Sequence, residues 1–170
     1  MPEAVADATV LIFLGKLRRL DWLRRRYATV RMPAVVHEEV VVRGRDRGEP
    51  DAAVVADAVD AGWLKVHEVD EHPRLDRFEL EPGEIGVLSL AIERDLERVL
   101  VDEESVREVA RLVGLRPRGT LSVLFDALER GDVDFDGFLQ LLEQLLENGF
   151  YLDEAVYLEA VRRAWDLAES

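Results

Sequence analysis

The 170 residues carry 36 acidic against 22 basic side chains, a formal net charge of −14, and no cysteine. A chain of this length buries a full core without staples, and the lack of thiols excludes disulfides and thiolate metal sites. There is no basic leader with an apolar segment, and no run near the roughly 18–20 apolar residues that cross a bilayer, which predicts a cytoplasmic protein away from membranes.

In chain order, a short apolar start at Ala4–Ala6 predicts a first strand, and Val10–Tyr27 a helix broken near Gly15. Ala28–Arg31 predicts the second strand and Pro33–Val42 a helix with a first-turn proline. Arg43–Pro50 reads as a mobile polar loop, followed by a helix over Asp51–Ala61 that Gly62 stops. Strands at Leu64–Val69, Arg98–Val101 and Leu115–Arg118 alternate with helices over Gly83–Asp95 and Glu103–Val113. Beyond Thr120 the pattern turns wholly helical, with segments Leu121–Arg130, Phe135–Glu147 and Glu154–Ala168. The rhythm predicts one α/β domain over 1–170: a central, mostly parallel sheet flanked by helices, with 120–170 an extra helical portion. The apolar residues of 135–146 suffice for a core and a dimer face together.

The charge is unevenly spread. Lys16 to Arg47 holds ten basic and four acidic residues, a surplus of +6 that leaves −20 for the rest. Arg18, Arg19, Arg24 to Arg26, Arg43, Arg45 and Arg47 supply the concentrated positive surface, which suits phosphates or a solvated helix face. Four acids stand where the topology would gather them. Asp7 and Asp102 follow strands, where open parallel sheets place their sites. On a wheel of about 100° per residue, Glu39 falls between Val35 and Val36 on the apolar side of its helix, and Glu84 near the centre of another apolar face. Buried carboxylates need partners or a cation. Each also has an ordinary reading: helix caps for Asp7, Glu84 and Asp102, and an arginine-paired acid for Glu39.

These residues sit in stretches that resemble the PIN-domain nucleases, in particular a branch related to VapC-type toxins. Ala6-Asp-Ala-Thr-Val-Leu-Ile12 is similar to the first motif of that family. Met32-Pro-Ala-Val-Val-His-Glu-Glu-Val40 is similar to the second, with Glu39 as its acid. Leu80-Glu-Pro-Gly-Glu-Ile-Gly-Val-Leu-Ser-Leu-Ala91 resembles the third, with Glu84, and Val99-Leu-Val-Asp-Glu-Glu-Ser-Val-Arg107 the fourth. The branch often has two aspartates in the fourth motif; here Asp102-Glu103 leaves both as candidates, with Asp102 preferred. The third acid, often aspartate elsewhere, is glutamate here.

The resemblance implies a PIN-like three-layer sandwich and a ribonuclease hydrolysing phosphodiesters with Mg²⁺ or Mn²⁺. The metal ligands would be Asp7, Glu39, Glu84 and Asp102, with Glu103 as a further catalytic candidate. It implies an RNA substrate, a cognate antitoxin and a homodimer. Thr9, Thr120, Arg43, Arg45 and Arg47 would contact phosphate, or the two threonines would cap helices. The alternative is a PIN-like interaction module that cleaves poorly or not at all. A receiver domain would need a lysine late in the sheet, and none follows Lys65. A dinucleotide enzyme would need G-x-G-x-x-G after the first strand, and it is missing.

Overall fold

Short apolar runs, each followed by a longer amphipathic one, dictate a strand–helix alternation, and the computed structural model, which describes all of Met1–Ser170, has that form. The strands are β1 (Glu3–Ala6), β2 (Thr29–Pro33), β3 (Leu64–His67), β4 (Arg98–Leu100) and β5 (Arg116–Arg118). They form one sheet in the order β3-β2-β1-β4-β5, and every pair is parallel. The order reverses at β1, which hydrogen-bonds β2 on one side and β4 on the other. A crevice therefore opens at the carboxyl ends of β1 and β4, the usual location of an α/β site.

The helices of this part are α1 (Ala8–Lys16), α2 (Ala34–His37), α3 (Arg43–Asp46), α4 (Pro50–Asp60), α5 (Pro82–Glu93) and α6 (Glu104–Leu112). α1 packs on α4, while α5 lies against β1, β2 and β4, and α6 against β5. The right-handed rule for parallel crossovers puts these two sets on opposite faces. Ala4, Val5, Val30, Met32, Val99 and Leu100 fill the sheet's interior positions, each essentially unexposed. Gly62 and Gly114 take left-handed φ values of 90° and 86°, so both stop their helices as expected.

Three local expectations are corrected. The helix after Asp7 breaks near Gly15 as expected, ending at Lys16 before Arg18 turns left-handed at φ 58°, but the part beyond is a 3₁₀ helix over Leu20–Arg25 rather than α-helix. Pro33 stands in extended backbone before the second helix rather than inside its first turn. The Arg43–Pro50 stretch is ordered structure: Arg43–Asp46 is helical and Pro50 opens α4.

A fourth difference concerns side-chain direction. Between α2 and α3 the chain winds as a π-helix over Glu38–Val42, with more residues per turn than the wheel assumed. Val36, Val40 and Val41 turn inward, while Val35 and Val42 are 40% and 39% exposed. Glu39 is exposed rather than set within an apolar face.

The chain divides into two units, Met1–Thr120 and Leu121–Ser170. The second contains the rest of α7 (Thr120–Arg130) with α8 (Phe135–Glu147) and α9 (Glu154–Glu169). Asp134 and Asp153 cap the last two helices, accepting from Gly137 N at 2.7 Å and Val156 N at 2.8 Å. Phe125 stacks on Phe138, with Arg163 over the Phe125 face, and Phe135 meets Trp165 edge-on. No helix is long and apolar enough to cross a membrane.

Candidate active site

Asp7 begins where β1 ends. Its backbone N–H donates to Leu100 O of β4 at 2.9 Å, which holds the residue at the switch point. Its carboxylate caps α1, with Oδ1 accepting from Ala8 N at 2.8 Å. Burial pushes its pKa up to about 7, and the negative charges of Glu84, Glu39 and Asp102 push the same way, against the single Ala8 bond. Three acids from distant parts of the chain thus act on a fourth.

Gly83 lies between two of them. A Cβ at Gly83 would stand 3.6 Å from Asp7 Oδ1 and 3.9 Å from Glu39 Oε2, so the missing side chain leaves open the space these carboxylates share. Glu84, the next residue, sits in the first turn of α5, where it accepts from Glu81 N at 2.8 Å in a capping box. Burial raises its pKa, and the negative charges of Glu103 and Glu81 add to this, against the bond from Glu81 N. Capping and convergence are therefore both true of Asp7 and Glu84.

Asp102 is held more firmly. Oδ1 accepts from Thr120 N at 2.6 Å and Oδ2 from the Thr120 hydroxyl at 2.8 Å. Burial raises its pKa, opposed by these two bonds, by the Thr9 hydroxyl and by the charge of Arg107. Thr120 is fully buried. Both threonines thus point their hydroxyls at Asp102, an arrangement that fixes a carboxylate in one orientation. Gly119 permits the approach: a Cβ there would come within 2.8 Å of Asp102 Oδ1 and 2.9 Å of Arg107 Nη1.

The structure therefore brings Asp7, Glu39, Glu84, Asp102 and Glu103 to one edge of the sheet, with Thr9 and Thr120. It does not bring Arg43, Arg45 and Arg47 there. Gly83, Gly119 and Arg107 belong to the site but were not singled out from sequence. Gly83 and Gly119 each directly precede a site residue, which is the one signal that could have found them. Two histidines stay outside: His67 lies between Arg31 and Arg94, and His72 caps a 3₁₀ turn at Pro73–Leu75.

The donors are all carboxylate oxygens, the ligand type that Mg²⁺ and Mn²⁺ prefer, and their mutual repulsion is the electrostatic condition a cation relieves. No three of the acids form a closed ligand set as they stand. The donor chemistry fits a divalent cation; enclosing one would require the side chains to draw together.

An open parallel sheet with carboxylates crowded at its switch point is an α/β protein whose site is built around anionic oxygens. The model of the DUF3368 family, described as a PIN domain, matches residues 3–166. The chain belongs to that PIN-domain family, and membership implies a nuclease-type function. No curated protein matches the chain.

Proposed function

We propose that the chain is a metal-dependent ribonuclease that hydrolyses RNA phosphodiesters, acting as the toxin of a VapBC-like toxin–antitoxin pair. The observation that supports it best is the convergence of carboxylates on Asp7 at the switch point: a Cβ at Gly83 would lie 3.6 Å from Asp7 Oδ1 and 3.9 Å from Glu39 Oε2, and burial, with the charges of Glu84, Glu39 and Asp102, raises the Asp7 pKa. Asp7, Glu39, Glu84 and Asp102 would hold Mg²⁺ or Mn²⁺, with Glu103 alongside. A bound ion would supply an activated water and charge stabilisation of the leaving oxygen.

The chain's own residues do the remainder. Thr9 and Thr120 keep Asp102 in one orientation through their hydroxyls, so it meets its ligand without a rotamer search. Asp7, with a pKa of about 7, is poised to lose its proton near neutral pH. Gly83 puts no side chain between Asp7 and Glu39. The family match runs through both units, which supports reading 1–170 as one domain with a helical C-terminal portion. A homodimer and an acidic antitoxin are part of the same proposal. The half-exposed Trp165 and the exposed Leu146 and Leu158 provide apolar surface for an interface.

A second reading has its own support. The lack of a closed ligand set suits an interaction module that keeps the fold without cleaving. Incubating a mixed RNA pool with Mg²⁺ or Mn²⁺, beside Asp7→Asn purified identically, separates the two. Cleavage by wild type alone supports the ribonuclease. Absence of cleavage by either folded protein supports the module.

A further inference from the structure

The arginines lie away from the acids. α1 starts at Asp7 on the carboxyl edge of the sheet and runs for nine residues, so its far end is about 13 Å away at 1.5 Å per residue. Arg18, Arg19 and Arg24 follow that far end. Arg24 sits over Trp63, the residue just before β3, with its guanidinium 5.6 Å from the ring centre. Trp63 O in turn accepts from Val30 N near the start of β2, so this is the amino edge of the sheet. Arg19 stacks likewise on Trp22 at 5.5 Å.

Arg43, Arg45 and Arg47 belong to the same end. Glu49 N donates to Gly44 O at 2.9 Å, and Glu49 pairs with Lys16, the last residue of α1, at 3.7 Å. A Cβ on Gly15 would reach 2.9 Å from Asp51 Cβ, so the start of α4 rests on the end of α1. All six arginines are exposed, with Asp21 and Asp46 the acids of their own segments.

We propose that this amino-edge surface is a second, remote docking site for single-stranded RNA, separate from the carboxylate edge. The inference rests on the ribonuclease reading and deepens it. The reacting edge is lined by five acids and repels a phosphate backbone, so substrate affinity has to come from elsewhere. On a chain of net charge −14 this surface is the concentrated source of positive charge. Guanidinium forks match phosphate oxygens. Two of the six are held over indoles, which limits the rotamer freedom lost on binding. Because the two edges are on the order of 15 Å apart, an RNA must be several nucleotides long to touch both.

The test measures binding of labelled single-stranded RNA of about 6 and about 24 nucleotides to the full chain in EDTA, with salt varied. The variants are Arg19→Gln/Arg24→Gln and, independent of any ring contact, Arg45→Gln/Arg47→Gln. Each double variant is expected to lose about tenfold in affinity for the long RNA. Its salt slope should fall by about 1.4, and the short RNA, held by the same surface, should weaken in the same direction. If both variants bind long RNA like wild type, and wild type cleaves RNA with Mg²⁺, the docking inference is lost and the ribonuclease reading survives. If wild type neither binds nor cleaves RNA, both are lost. If polyglutamate saturates the surface while RNA does not bind, the surface serves an acidic peptide and the inference is overturned.

Discussion

At the carboxyl edge of the sheet, like charges are crowded together; at the amino edge, like charges are spread over a surface and two of them rest on indole rings. The crowded edge costs stability. Asp7 must be desolvated beside three other acids, and only one backbone N–H offsets the cost. The spread edge costs little, since its arginines keep their water and their neighbours are polar or aromatic. Selection for stability alone would favour the second pattern throughout, which is why the first is the candidate functional edge.

The largest break in this contrast should come from Asp7→Asn. We expect RNA cleavage to fall by about 10³-fold or more, on the scale of losing a central catalytic group. Stability should move the other way. The folded pKa of about 7 exceeds the ordinary 3.8, so the folded state binds this proton more tightly than the unfolded one. Wild-type stability therefore declines as pH rises from about 4 to 7, and the penalty is complete above 7. Asn carries no such penalty. Discounted for partial solvent access, the gain at pH 8 is about 1–2 kcal/mol, or roughly 2–8 °C in melting temperature. It should vanish near pH 4. A melting temperature that falls at pH 8 would show that the Ala8 cap outweighs the repulsion.

The two site glycines sharpen the comparison within the carboxyl edge. Gly119→Ala forces a Cβ to 2.8 Å from Asp102 Oδ1, and we expect a loss of about 1–3 kcal/mol in thermal or denaturant unfolding, with reduced cleavage. Gly83→Ala meets only ordinary contacts, so its stability should stay within about 1 kcal/mol of wild type. Gly83→Leu should keep the fold and lose activity, because the added side chain enters the space between Asp7 and Glu39. Equal activity in Gly83→Leu would remove that space from the site.

Thr120→Val deletes the hydroxyl that Asp102 Oδ2 accepts from. A buried carboxylate that loses such a bond costs about 1–3 kcal/mol. Its pKa should rise further, moving the acidic limb of the pH–activity profile to higher pH. The smallest effect belongs to the amino edge: Trp63→Leu removes one cation–π support and should cost about 0.5–1 kcal/mol beyond the packing change, read in thermal unfolding.

Much of the fold was legible because it rests on hydrophobic periodicity and on glycine stops. All five strands and the long helices lie within a few residues of their expected places, and Phe135–Glu147 coincides with α8. Two kinds of feature were not legible. The left-handed Arg18 and the π-helical turn at Glu38–Val42 are backbone choices made by packing, and no local residue type announces them. The π-turn made the wheel misplace Val35, Val42 and the burial of Glu39, although the carboxylate still reaches the Asp7 side of Gly83. At the site, acids were visible by type and position, while Arg107 was hidden among ordinary helix charges. The arginine run was visible as charge, but its separation from the acids depends on chain direction in three dimensions.

The most direct measurement is calorimetric titration of Mn²⁺ into wild type and Asp7→Asn at pH 6 and pH 8. With Asp7 titrating near 7, wild type should bind Mn²⁺ about tenfold more tightly at pH 8 and release protons on binding, and the variant should lose both. No wild-type binding at millimolar Mn²⁺, or equal binding by Asp7→Asn, would contradict a cation-holding centre at the carboxyl edge.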